Sequence, residues 1–184
     1  MATTLLIARH GETDANRERR WQGQTETMLN DNGREQARRL AQELAADPPD
    51  AIFCSDLDRA HETASIVGAE LGRDVHAEPR LREVDVGSLA GRSVAEMQGE
   101  WARPLDYLLA EQPGIFEEMR SRVIDVLLEI AAAHEGERVL VVTHGGPIAA
   151  AWLACGGEPA DRPTVGNCHV QRVRVEAGKM TRLD

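Results

Sequence analysis

Three short stretches hold the residues that could do chemistry. "ARHGE" (8–12) places Arg9 and His10 straight after an apolar run, and "SDLDR" (55–59) offers Ser55, Asp56 and Arg59 after another. "THGG" (143–146) sets His144 ahead of Gly145 and Gly146 after a third. Arginine forks match phosphate oxygens bidentately. A neutral imidazole, with a reference pKa of ~6.5, is a competent nucleophile toward phosphorus. Gly145-Gly146-Pro147 reads as the start of a helix, whose free N–H groups and dipole favour an anion. These types point to phosphoryl chemistry. No Walker-type loop, no G-x-G-x-x-G after a strand, no H-E-x-x-H and no paired Cys/His spacing is present, so neither a metal nor an organic cofactor is expected.

The elements that must position these residues follow from periodicity. Thr4–Ala8, "AIFCS" (51–55) and "RVLVVT" (138–143) are short continuous apolar runs, as expected of strands covered on both faces. Val75–Ala77 reads as an edge-like strand, and "CHVQRVRVE" as an alternating strand forming a hairpin with "MTRL" through Ala177-Gly178. Helices are predicted from about Gly33 to Ala46, over an inner face of Ala60, Thr63, Ala64, Val67 and Leu71 capped by Ser55 or Asp56, and from Phe116 to His134. Ser93–Glu96 carries a capping-box pattern, and Trp101–Leu109 is a further candidate helix. Strands alternating with helices imply a three-layer α/β/α sandwich with a mostly parallel sheet, in which ligands bind beyond the carboxyl ends of the strands. Arg9, His10, Arg59 and His144 all fall at such ends.

At 184 residues a single domain spanning 1–184 is the simplest organisation. The net charge of −10 argues against nucleic acid or an anionic membrane as partner, while leaving room for a local positive pocket. Cys54, Cys155 and Cys168 show no C-x-x-C spacing and are expected to be free thiols in a reducing compartment. No apolar run approaches the roughly 20 residues that span a bilayer, and the start lacks a basic segment, so a cytoplasmic location is expected.

Four blocks in order, "LIARHGETDANRERRWQGQTETMLNDNGREQA", "SDLDRAHETA", "LREVDVGSLAG" and "VLVVTHGG", resemble the histidine phosphatase superfamily, the phosphoglycerate mutase-like proteins. The resemblance runs through nearly the whole chain. It implies that fold and a small phosphorylated substrate. His10 would be the nucleophile that becomes phosphohistidine, with Arg9, Arg59 and a protonated His144 around the phosphoryl oxygens. Asn16, Gln22 and Gly23 would meet phosphate or substrate, and Glu83 would protonate the leaving oxygen and then activate water.

One departure stands out. Many relatives carry P-G-G-E-S before the long helix, whereas this chain reads "QPGIFEEMRSRV", and no catalytic role transfers to Glu117 or Glu118. Half of the six aromatics, Trp101, Tyr107 and Phe116, fall in or beside a short insert at about 88–116. This predicts a lid that is partly apolar and a substrate with a non-polar body. A phosphomonoester hydrolase is the expected activity, with a phosphoglycerate mutase and a non-catalytic phosphoryl-binding module as alternatives. His61, His76, His134 and His169 are expected to pack locally or lie at the surface. The C-terminal strand, if it lies at an edge, is a candidate for pairing in a homodimer.

Overall fold

The computed structural model describes residues 1–97, 104–162 and 164–183. In chain order the elements are β1 (Thr3–Arg9), α1 (Asp14–Arg17), α2 (Asp31–Leu44), β2 (Ala51–Cys54), α3 (Asp58–Leu71), β3 (Val75–Ala77), α4 (Pro104–Glu111), α5 (Pro113–Ala133), β4 (Arg138–Thr143), α6 (Gly145–Ala154), β5 (Val170–Glu176) and β6 (Lys179–Arg182), with short 3-10 turns between several of them. They build a six-stranded sheet in the order β3-β2-β4-β1-β5-β6. The first four are parallel to one another, β5 is antiparallel to β1, and β6 is antiparallel to β5.

The continuous apolar runs of β1 and β4 have a direct cause: both faces of the sheet are covered. Leu5, Ile7, Val139 and Val141 point to one side, where α5 brings Met119, Val123, Val126 and Leu127 and α6 brings Ile148, Ala150 and Ala151. Leu6, Ala8, Leu140 and Val142 point to the other, against Leu40, Ala41 and Leu44 of α2 and Ala60, Ala64 and Val67 of α3. Each of these central strand residues is 1% exposed or less. Burying such a side chain contributes about 1.5–3 kcal/mol, so the sheet centre is the rigid part on which a site can be built.

Several boundaries differ from the sequence reading. Helix α2 starts at Asp31, because Asn30 caps it by accepting from Gly33 N at 2.8 Å. Neither Ser55 nor Asp56 caps α3: its cap position is Leu57, with no side-chain bond. Asp56 instead grips Arg82 with a two-pronged ion pair at 2.7 and 2.6 Å. Strand β5 is not an edge; it is shielded by β6 through a turn in which Ala177 and Gly178 both have positive φ. Helix α4 starts at Pro104, and Trp101 lies outside the described residues. No helix among the described residues is long and apolar enough to cross a membrane.

Candidate active site

Sheet order explains why distant residues meet. Strands β2, β4 and β1 are consecutive neighbours, and Arg9 is in register with Thr143. The residues just past their carboxyl ends are therefore Ser55, His144 and His10, side by side. His10 N bonds Thr143 O at 2.9 Å, and Ser55 N bonds Val142 O at 2.9 Å. The chain then turns sharply at Gly11, where a Cβ would overlap the Gly33 carbonyl at the start of α2. Thr63 Oγ1 of α3 accepts from Gly11 N at 3.0 Å and donates to Arg59 O at 2.7 Å, tying the turn to the helix that carries Arg59.

A cavity of about 260 Å³ opens above these ends. Arg9, His10, Asn16, Gln22, Gly23, Arg59, Glu83 and Gly145 all line it, so eight of the nine residues singled out in the sequence come to one place. The ninth, His144, is fully buried behind His10, with ring centroids 5.2 Å apart.

The hydrogen bonds set which atoms the cavity offers. His10 Nδ1 is 2.7 Å from its neighbour's carbonyl, Gly11 O, so Nδ1 carries the proton and donates. Nε2 is left with its lone pair. Burial and the charges of Arg59 and Arg9 hold this imidazole well below the ordinary histidine range, and only the Gly11 carbonyl opposes them.

The two amide side chains are oriented by their hydrogen-bond partners. Thr13 N, a donor alone, bonds Asn16 Oδ1 at 3.2 Å. Arg59 Nη1 donates to Thr27 Oγ1 at 3.3 Å, whose hydroxyl then donates to Gln22 Oε1 at 2.8 Å. Both amide oxygens are thereby engaged, leaving Asn16 and Gln22 to present N–H groups. Arg59 also donates to Thr25 O and Gly23 O, at 2.9 and 2.7 Å, and Arg9 to Val165 O at 2.7 Å. Burial lowers both guanidinium pKa values, that of Arg59 to about 10, so both stay charged at neutral pH. Positive charge and N–H donors around a neutral nitrogen nucleophile suit a dianionic phosphoryl group.

Burial, with Arg59, His10, Arg9 and Arg122 as further causes, pushes the His144 imidazole well below the ordinary range, which favours the neutral ring. Its Nε2 lies 2.8 Å from Ser55 Oγ, while Nδ1 is buried with no partner among the described residues.

The α6 N-terminus is also different from a bare anion site. Glu83 occupies it, accepting from Gly146 N through both carboxylate oxygens at 3.2 and 3.1 Å, and from Val84 N at 2.9 Å. Its backbone is anchored by Gln24 Nε2 at 3.0 Å and by Arg122 of α5 at 3.4 Å. Thr143 Oγ1 holds Leu81 O just upstream at 2.8 Å.

The rest of the cavity wall carries no sequence motif. Trp21, Val84, Val86, Leu108, Ala149 and Val165 make one side apolar. Arg20 and Arg162 also line the cavity; Arg20 pairs with Glu18 at 2.9 Å and Arg162 with Asp106 of α4 at 3.2 Å. Of the aromatics expected over the pocket, Tyr107 meets the edge of Trp21 at 5.9 Å, whereas Phe116 packs into the core. Thr13, Thr27 and Asn167, which no periodicity signals, touch the amide side chains or main chain of the cavity residues.

The profile of the histidine phosphatase superfamily, branch 1, matches residues 5–183. A metal-independent phosphoserine phosphatase of Arabidopsis thaliana is 37% identical over 161 residues, covering 82% of this chain and 68% of the relative. A probable phosphoglycerate mutase GpmB of Enterobacter sp. (strain 638) is 34% identical over 180 residues, covering 92% and 83%. The structure of phosphoserine phosphatase from Entamoeba histolytica in complex with 3-phosphoglyceric acid superposes with a TM-score of 0.84 at 25% identity, over 99% of this chain and 95% of that one. With the sheet, the strand-end histidines and the profile all in accord, the chain belongs to the histidine phosphatase superfamily, branch 1.

Proposed function

We propose that the protein is a metal-independent phosphomonoester hydrolase working through a phosphohistidine on His10. The observation that carries this reading is His10 itself: a neutral imidazole with Nδ1–H tied to Gly11 O, its Nε2 lone pair free, beside two arginines and two amide N–H donors. Arg9, Arg59, Asn16 and Gln22 bind the phosphoryl oxygens, with the Gly23 and Gly145 backbones beside them. His10 Nε2 attacks phosphorus, and the ester P–O bond breaks as the leaving oxygen takes a proton from the Glu83 carboxyl. Water then attacks the phosphohistidine, its proton passes to the Glu83 carboxylate, and the P–N bond breaks to release inorganic phosphate. His144 and Ser55 back the nucleophile, and His144 takes up a proton as the dianion arrives.

The apolar wall supports a substrate whose body is non-polar. Leu108 and Tyr107 of α4, in the described part of the 88–116 insert, serve as its lid, within a chain that acts as one domain. Similarity to GpmB keeps phosphoryl return to substrate in view as the alternative. One experiment separates the readings. Rapid quench with 32P-labelled substrate should trap label on wild type but not on His10→Ala, and chase it to inorganic phosphate and not to a second phosphoester. Near wild-type turnover by His10→Ala would overturn the mechanism. No release with any phosphomonoester, and no label, would leave only a binding module.

A further inference from the structure

The three residues before β5 continue alongside β1 past the last paired strand residue. Arg9 N donates to His169 O at 3.1 Å, and Cys168 N donates to Arg9 O at 3.0 Å. Cys168 takes a positive φ of 57° there, which kinks the loop and turns Asn167 toward the end of β1. The Asn167 side chain then makes two bonds that no motif announces. Its Nδ2 donates to His10 O at 2.9 Å and to Asn16 Oδ1 at 3.2 Å.

The directions of these bonds are forced. His10 O can only accept, so the nitrogen end of Asn167 must face it. Asn16 Oδ1 already accepts from Thr13 N at 3.2 Å and lies 3.1 Å from Thr13 Oγ1. A third donor from Asn167 completes the crowding of that oxygen and turns the Asn16 N–H groups outward to the cavity. One amide therefore ties the main chain of the nucleophile to the orientation of a phosphate donor 151 residues away.

We propose that Asn167 is a positioning residue of this site. It holds Asn16 in the donor orientation toward a phosphoryl oxyanion and holds the His10 backbone at the height from which Nε2 meets phosphorus. Asn167 is not among the residues lining the cavity, so it acts through these two and not on the substrate. The inference rests on the proposed phosphoryl chemistry of the same site.

Calorimetric binding of inorganic phosphate tests it without turnover, using the full chain and the variants Asn167→Ala, Asn167→Asp, Asn16→Ala and Asn16→Ala/Asn167→Ala. Asn167→Ala should weaken phosphate about tenfold, the worth of one oriented hydrogen bond. Asn167→Asp keeps the shape but faces His10 O and Asn16 Oδ1 with an acceptor, and should weaken phosphate further. The deciding measurement is the coupling: the double variant should bind phosphate no worse than Asn16→Ala alone. In rapid quench, Asn167→Ala should also slow labelling of His10.

Additive losses in the double variant, or wild-type phosphate affinity in both single variants at position 167, would overturn the proposal. A loss confined to thermal stability, with phosphate affinity and labelling rate intact, would overturn it as well. If His10 is never labelled in the wild type, the phosphatase reading fails separately; the coupling between positions 16 and 167 still decides the positioning role for phosphate binding.

Discussion

The imidazoles of His10 and His144 stand 5.2 Å apart with a 58° tilt, at the ends of two adjacent parallel strands. Both are shut from solvent and both are neutral, because desolvation and the nearby arginines disfavour a third and fourth positive charge. A pocket built this way is short of negative charge. A phosphoryl dianion supplies it, and the same field that keeps the nucleophile unprotonated draws the substrate in.

Stability should therefore fall on the acid side of neutrality. For both histidines the folded-state pKa lies below the unfolded value of about 6.5. Above that pH neither state binds the protons, and their contribution is complete. As pH drops below it, the unfolded chain takes them up first, at a cost of about 1.4 kcal/mol per pH unit for each imidazole. Thermal unfolding from pH 7 to 5 should show a smaller decline in Tm for His144→Gln than for wild type. Equal slopes would mean that His144 is not held neutral.

Reversing the polarity of one cradle group should be more harmful than removing it. Gln22→Glu replaces an N–H donor with a carboxylate beside the phosphate, adding repulsion to the lost bond. Steady-state kinetics should show kcat/KM down by about a hundredfold or more, against about tenfold for Gln22→Ala. Comparable losses in the two variants would contradict the orientation that Thr27 imposes on Gln22.

Gly146→Ala should disable Glu83 without touching the nucleophile. A Cβ at this position overlaps Glu83 Oε1, so the carboxylate must shift from its place at the α6 N-terminus. With an alkyl phosphate, whose leaving oxygen needs a proton, kcat should fall by about 10²–10⁴-fold, the usual worth of a placed general acid. His10 labelling from 4-nitrophenyl phosphate, whose leaving group needs no such help, should be affected far less. Equal losses for both substrates would argue that Glu83 is not the acid.

The outer wall should set preference among substrates. Leu108 and Trp21 are 3% and 6% exposed beside the cavity, and Arg162 is paired with Asp106. Leu108→Ala should cut kcat/KM for 1-naphthyl phosphate several-fold while sparing 3-phosphoglycerate, since only the first uses apolar contact. Asp106→Asn weakens the hold on Arg162 and should raise kcat/KM for the carboxylated substrate. Wild-type enzyme that handles both substrates equally would sink the apolar preference.

The chain's own order made much of this legible. Continuous apolar runs ending abruptly in Arg9-His10, Ser55 and His144 mark buried strands that stop where a sheet meets ligand, because a charged group is tolerated only at such an end. Helix periodicity placed α2, α3 and α5 to within a few residues for the same reason: one face of each must be covered. The cavity's polarity was not legible. That Asn16 and Gln22 offer nitrogen and not oxygen depends on Thr13, Thr27, Arg59 and Asn167, which reach them from separate loops and from α3. The downward push on the His144 pKa was not legible, because desolvation belongs to the packed interior and has no trace in residue order. Glu83 at the α6 N-terminus likewise needs two segments 63 residues apart to be folded together. Local sequence thus determined the strands, their ends and the chemical types placed there. Tertiary structure alone decided which protons and lone pairs those types present, since that follows from partners and burial rather than from neighbours in the chain.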